Sequence, residues 1–130
     1  MASLRQWIQS ATIALDQLTR ALFVRFVDVD VSKDAALTGA QTDTSVWAPT
    51  AGKQICLSSL TFTVDADCTV TIHRGTNVTG KRLINQKFKA GSGVSLPYIP
   101  MFRCAVDEPL KVTTDAGNIN ITLTGIEDVA

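Results

Sequence analysis

The sequence has one histidine, His73, one tyrosine and two tryptophans, and aromatic residues make up only 6% of it. A single imidazole leaves no histidine pair for a zinc site, and Cys56, Cys68 and Cys104 stand at no metal-ligand spacing from one another. No metal or cofactor is therefore expected. Charge of one sign is lacking too: twelve basic residues balance twelve acidic ones. Without a strongly basic block, a dedicated nucleic-acid binder is excluded. No apolar run approaches the length that crosses a bilayer. The N-terminus, Met1-Ala2-Ser3-Leu4-Arg5-Gln6-Trp7, lacks the basic-then-apolar order of a signal peptide. Synthesis in the cytosol and no membrane partner are the expectation. Asn77-Val78-Thr79 and Asn120-Ile121-Thr122 match glycosylation sequons. With no secretory signal, they read as chance matches in a Thr-rich chain.

What is present suffices for a core. The 130 residues are 45% hydrophobic, which fits one folded domain with an appendage. Residues 3–22 read as a helix, with Ser3 and Gln6 placed as a capping box. Leu4, Ile8, Ala11, Leu15, Leu18 and Leu22 follow the alternating four-and-three spacing of a heptad seam, and Trp7 and Ala14 widen it. Such a helix is marginal alone in water and must pack on something. Val27, Val29 and Val31 then alternate with Asp28 and Asp30, the period of a half-buried strand. Asp28, Asp30 and Ser32 have the opening spacing of a calcium loop, but Lys33 occupies the glycine position and no glutamate closes the loop. Residues 32–52 are small and polar and read as a linker or extended arm. The expected division is an N-terminal helix and strand (1–31), a polar linker (32–52) and a β-domain (53–130).

From Ile55 onward, short apolar-alternating segments separated by turns give the all-β pattern. If Asp65-Ala66-Asp67 closes a hairpin, Val64 faces Cys68, Phe62 faces Val70 and Leu60 faces Ile72. A second loop at 115–118 sets Val112 opposite Ile121 and Leu110 opposite Leu123. Every pair is apolar and lies on one face. Ile55 and Leu57 have the opposite parity to Leu60, which predicts a bulge near Ser58-Ser59. Further strands are expected at 82–88, 94–96 and 103–106. The fold class is an all-β sandwich, jelly-roll-like, with about seven or eight strands and the N-terminal helix and arm attached. In that register Cys56 lies about 25 Å along the strand from Cys68, too far for a bridge. Either could meet Cys104 or a cysteine of another subunit; otherwise the thiols are small buried hydrophobes.

No catalytic constellation emerges. His73 precedes Arg74-Gly75-Thr76, a turn context in which an exposed histidine is expected. Asp65, Asp67, Asp107 and Glu108 fall in expected turns, where Asp serves the backbone. Lys81, Arg82, Lys87 and Lys89 form one local basic group, read as a solvated strand face. Trp7 and Trp47 lie outside the expected sandwich strands and read as interface anchors. The candidate site is thus a subunit interface made by Leu4, Trp7, Ile8, Ala11, Leu15, Leu18, Leu22 and Trp47, in a protein with no catalytic residues.

One ordered series of segments carries a resemblance. It runs from Val46-Trp47-Ala48-Pro49-Thr50-Ala51-Gly52-Lys53-Gln54-Ile55 through Leu57-Ser58-Ser59-Leu60-Thr61-Phe62 and Cys68-Thr69-Val70-Thr71-Ile72 to Arg74-Gly75. It continues in Ala90-Gly91-Ser92-Gly93-Val94-Ser95-Leu96-Pro97-Tyr98 and Glu108-Pro109-Leu110-Lys111-Val112-Thr113. In that order it resembles virion structural proteins of tailed bacteriophages, of the head decoration and head-fibre type. The resemblance implies a β-sandwich that binds major capsid or other virion subunits, commonly as a homotrimer, and resides in the virion. The helix and the three cysteines lie outside that pattern. A carbohydrate- or receptor-binding module of a phage fibre is the alternative, because the sandwich suits either.

Overall fold

A computed structural model describes residues 31–129. The expected helix at 3–22, its seam and most of the 23–31 strand lie outside the described residues. Eight strands follow in chain order: β1 (Val31–Leu37), β2 (Gln41–Trp47), β3 (Lys53–Val64), β4 (Cys68–Arg74), β5 (Arg82–Phe88), β6 (Gly93–Val106), β7 (Leu110–Thr114) and β8 (Ile119–Val129). They make two four-stranded antiparallel sheets, β1-β8-β3-β6 and β2-β7-β4-β5. The all-β expectation holds for this region.

The strand residues explain the layers. In β3, Leu60, Phe62 and Val64 are buried while Thr61 and Thr63 are exposed, the two-residue period of a sheet with one dry face. Leu110 and Val112, and Ile119, Ile121 and Leu123, repeat the inward parity. On β4 Val70 and Ile72 do so as well, although Thr71 and His73 between and after them are also buried. All the apolar residues join one core cluster. Phe88 meets Phe62 edge to face, with centroids 5.0 Å apart. The change of parity in β3 also appears as expected: the register with both β6 and β8 shifts between Leu57 and Ser59, so that Ile55, Leu57 and Leu60 all turn inward.

Several expectations need correction. The two apolar hairpins do not form, because β3 and β4 belong to opposite sheets, as do β7 and β8. Only β4 and β5 are both consecutive and paired. The apolar partners face each other across the core and not side by side, and parity is identical in the two cases. Second, the 32–52 segment is no free linker. It supplies β1 and β2, an edge strand for each sheet. These edges bury few large side chains, and β2 shifts register between Gln41 and Thr44 and again between Ser45 and Trp47, so no regular alternation shows in the sequence. Third, Trp47 is 0% exposed and belongs to the core of its own domain, which leaves it no surface for anchoring a neighbour. The expected strands at 94–96 and 103–106 are one, β6, which carries Pro97 and Pro100 at the edge of its sheet.

The alternation in β3 can be tested by adjacent substitutions. Phe62→Ala is expected to cost about 3–5 kcal/mol of unfolding free energy. Thr61→Ala, one residue away on the wet face, should change it by less than about 0.5 kcal/mol. Equilibrium denaturant unfolding of both variants measures the difference.

Candidate functional site

The jointed loops gather at two ends of the domain, and acidic side chains tie each end. At one, Asp65 accepts from the backbone N–H and the side-chain amide of Asn118, both at 2.7 Å. Asp67 accepts from the Ala90 amide at 2.8 Å, and Asp115 from the Thr69 amide at 2.7 Å. At the other, the Gly52 amide donates to Asp107 at 2.7 Å. The expected backbone role of Asp65, Asp67 and Asp107 is what the geometry shows. Glu108 does more. It receives Lys81 Nζ at 3.0 Å, Arg74 at 3.5 Å and the Ala105 amide at 3.2 Å. Burial acts to raise its pKa, but the hydrogen bonds from Lys81 and Ala105 and the charges of Lys81 and Arg74 outweigh it. The carboxyl is held below its usual value.

Trp47 and Glu127 make the second acidic tie. The indole Nε1–H donates to Glu127 Oε1 at 3.0 Å, and Thr50 donates its hydroxyl to Oε2 at 2.8 Å and its amide to Oε1 at 3.3 Å. These bonds, led by that from Trp47, hold the Glu127 carboxyl below its usual range. One carboxylate therefore joins the buried indole on β2, the β2–β3 loop and the end of β8.

His73 is not the exposed turn residue expected. It is 0% exposed, on the outer-face parity of β4, beneath Asp43 and Thr113. Nδ1 lies 3.0 Å from the Gly75 carbonyl, which assigns that nitrogen its proton. Nε2 lies 3.1 Å from Thr113 Oγ1 and 3.3 Å from Asp43 Oδ1. Asp43 reaches the ring because β2 is irregular there, with Asp43 at φ 48°. An acid, an imidazole and a hydroxyl are thus together, but in an order unlike that of a hydrolase triad. There the acid orients Nδ1 and the hydroxyl alone meets Nε2. Here a carbonyl takes Nδ1, and acid and hydroxyl share Nε2. The cluster joins β2, β7 and β4 across the outside of their sheet.

The expected basic group is dispersed. Lys81 is held by Glu108, Arg82 Nε donates to Asn77 at 2.8 Å, and Lys89 pairs with Asp67 at 3.5 Å. Lys87 and Lys89 instead line a cleft of about 280 Å³ with Asp67, Cys68, Thr69, Phe88 and Asp115. Its thiol is a poor nucleophile: burial, then the charges of Asp115, Asp65 and Asp67, push the Cys68 pKa up. Cys104 is pushed up to about 12, by burial first and Glu108 second. All three cysteines are buried thiols. Among the described residues, no group of three His, Cys, Asp or Glu side chains is placed to hold a metal ion.

The outer face of the β1-β8-β3-β6 sheet is a lawn of small polar side chains. One row runs Asp34–Thr122–Thr61–Ser95, with Thr122 donating to Asp34 at 3.2 Å and Thr61 and Ser95 hydrogen-bonded at 3.0 Å. The exception to this polarity is at the β6 edge. Pro97 pairs with Ser59 and Phe102 with Leu57, so Tyr98-Ile99-Pro100-Met101 stands opposite the single residue Ser58 and leaves the ladder. Ile99 is 75% exposed at its tip. Phe102 closes its base, between Tyr98 at 5.9 Å and the Arg74 guanidinium at 5.7 Å. The sequence reading passed over this feature, although an apolar run holding two prolines is a signal of an interrupted edge. Of the expected interface residues, Leu4, Trp7, Ile8, Ala11, Leu15, Leu18 and Leu22 lie outside the described residues, and Trp47 is in the core.

Comparison with protein-family models, with curated proteins and with solved structures gives no match.

The acidic ties predict how stability depends on pH. Both carboxyls titrate below their ordinary value of 4.5 in the folded chain, so they stabilise it above that value and lose the effect as pH falls through the lowered one. Glu108→Gln and Glu127→Gln should each flatten the acid side of the stability–pH profile, read from denaturant unfolding between pH 7 and about pH 3. Glu127→Ala, which leaves the buried Trp47 N–H without its acceptor, should cost about 1–3 kcal/mol at neutral pH.

Proposed function

We propose that this chain is a structural subunit of a tailed-bacteriophage particle, which binds neighbouring capsid or other virion subunits and performs no catalysis. The strand order is the observation that carries the reading. Sheets ordered β1-β8-β3-β6 and β2-β7-β4-β5, with nearly every connection crossing between them, match a jelly-roll sandwich. Viral capsid domains are among the proteins built on that plan. Fold alone does not choose a function, so the reading also leans on the sequence resemblance to head decoration and head-fibre proteins. It fits a domain whose ionisable groups are engaged in tying loops and strands together. In this reading residues 1–30 are the assembly arm, the chain self-associates as a trimer, and it resides in the virion.

Lectin domains share the jelly-roll plan, and the cleft beside Phe88 and Lys87 is where a glycan would enter in that second reading. The two separate on purified protein: glycan binding by the isolated chain favours the lectin, and association with assembled capsids favours the subunit.

The arm is tested by a deletion that stops at residue 30, because β1 begins at Val31 and a cut at residue 52 would remove an edge strand from each sheet. The truncated chain should unfold within about 4 °C of the full one, a difference below about 1 kcal/mol. It should fail to join particles. Unfolding of the truncated chain, or its normal incorporation, would refute the arm.

A further inference from the structure

The edge of β6 carries Ile99, the most exposed large hydrophobic side chain among the described residues, and its form restricts what can cover it. An added β-strand is unsuited. Tyr98–Met101 leaves the ladder, and Pro97 and Pro100 have no N–H to donate, so the edge offers no continuous row of backbone partners. What it offers is side chains: Ile99 at the tip, Tyr98 and Met101 half-buried beside it, and exposed Val106 further along the strand. A partner for such a ridge is an element with its own apolar stripe, docked as a helix docks in an apolar groove. The sequence contains one such stripe outside the described residues, Leu4, Ile8, Leu15, Leu18 and Leu22.

The register shows where that segment starts out. Val31 pairs with Gly125, Gly125 with Leu57, and Leu57 with Phe102, so the chain enters β1 on the same row of the sheet as the base of the protrusion. The two points are on opposite edges, about 14 Å apart across three strand spacings. Between them on the outer face are Asp34, Thr122, Thr61 and Ser95, against which an apolar seam would gain nothing and would desolvate hydroxyls and a carboxylate. Residues 23–30 can extend about 26 Å away from the β1 edge. The chain's own protrusion is also within this reach, but to arrive there Phe23, Val24, Phe26 and Val27 would have to lie over those hydroxyls and that carboxylate. A copy set beside the β1 edge presents its β6 at the same reach without that crossing.

We propose that the Tyr98–Met101 protrusion is the docking site for residues 4–22 of a second copy of this chain. This rests on the reading of the chain as an assembling subunit and names where its arm lands. Because donor and acceptor are at opposite edges, the contact is head-to-tail, and repeated by rotation it closes into a ring, as a trimer requires.

The full-length chain tests this without any particle, so failure here is separate from failure to bind a capsid. Ile99→Asp and Leu15→Asp should each bring the oligomer to the mass of a single chain in sedimentation velocity, with the thermal midpoint of the domain unchanged for Ile99→Asp. For the direction of docking, a Leu15→Cys chain and a separately tagged Ile99→Cys chain are mixed and oxidised. The native thiols are buried and react slowly, so the expected product is a disulfide dimer containing both tags. A Leu15→Cys/Ile99→Cys double variant that cross-links only within one chain would overturn the proposal, as would an oligomer that Ile99→Asp leaves intact. So would a wild-type chain that is monomeric, or one whose Ile99-dependent binding is to phospholipid vesicles.

Discussion

Two rows of inward side chains, facing each other across one core, set the conditions for everything else in this domain. Leu60, Phe62 and Val64 on β3, with Ile119, Ile121 and Leu123 on β8, form one wall. Val70 and Ile72 on β4, with Leu110 and Val112 on β7, form the other. Because β3 leads to β4 and β7 leads to β8, each wall is joined to the other by the chain itself at short loops. A chain that crosses between sheets at nearly every turn forms few local contacts, and its stability depends on long-range burial. This is also why the edge strands β1 and β2 can be polar: the four central strands carry the core, and the edges complete its cover.

The crossing loops create a second requirement, which the acidic residues meet. A loop that passes from one sheet to the other leaves backbone N–H groups without a ladder partner, and those groups must bond to something. Asp65, Asp67, Asp107 and Asp115 take that part, each accepting from an amide of a different loop or strand. Glu108 and Glu127 add charge and the Trp47 indole to the same function. The ionisable groups that would first attract attention as chemistry are mostly engaged in closing the ends of the domain. His73 belongs with them, since it ties three strands from outside their sheet.

Once core and ends are satisfied, the surface divides. The sheet containing β1 and β6 shows a polar lawn of Thr, Ser and Asp, while the β6 edge breaks its ladder and exposes Ile99. An interrupted, proline-bearing edge resists strand-to-strand aggregation. It still presents apolar side chains, among them Ile99. Under the proposed reading of the chain as an assembling subunit, such an edge avoids strand-to-strand contact and leaves side-chain packing as the means of association.

By itself the sequence determined the parity of β3, β4, β7 and β8, the bulge at Ser58-Ser59, the span of β5, and the aspartates that serve loops. These are local: a period of two and a turn residue are written in consecutive positions. It left β1 and β2 hidden in what reads as a linker, because both edge strands bury few large side chains and the register of β2 is broken twice. It could not say whether Phe62 and Val70 are neighbours in one sheet or opposed across the core, since both arrangements demand the same parity. The tertiary structure decided that, and with it the burial of Trp47 and His73 and the exposure of Ile99. Each depends on which distant segment covers the residue: β8 and its Glu127 for Trp47, Asp43 and Thr113 for His73, and no described neighbour for Ile99. Burial is a property of packing partners far apart in the chain, and alternation along a strand carries no information about them.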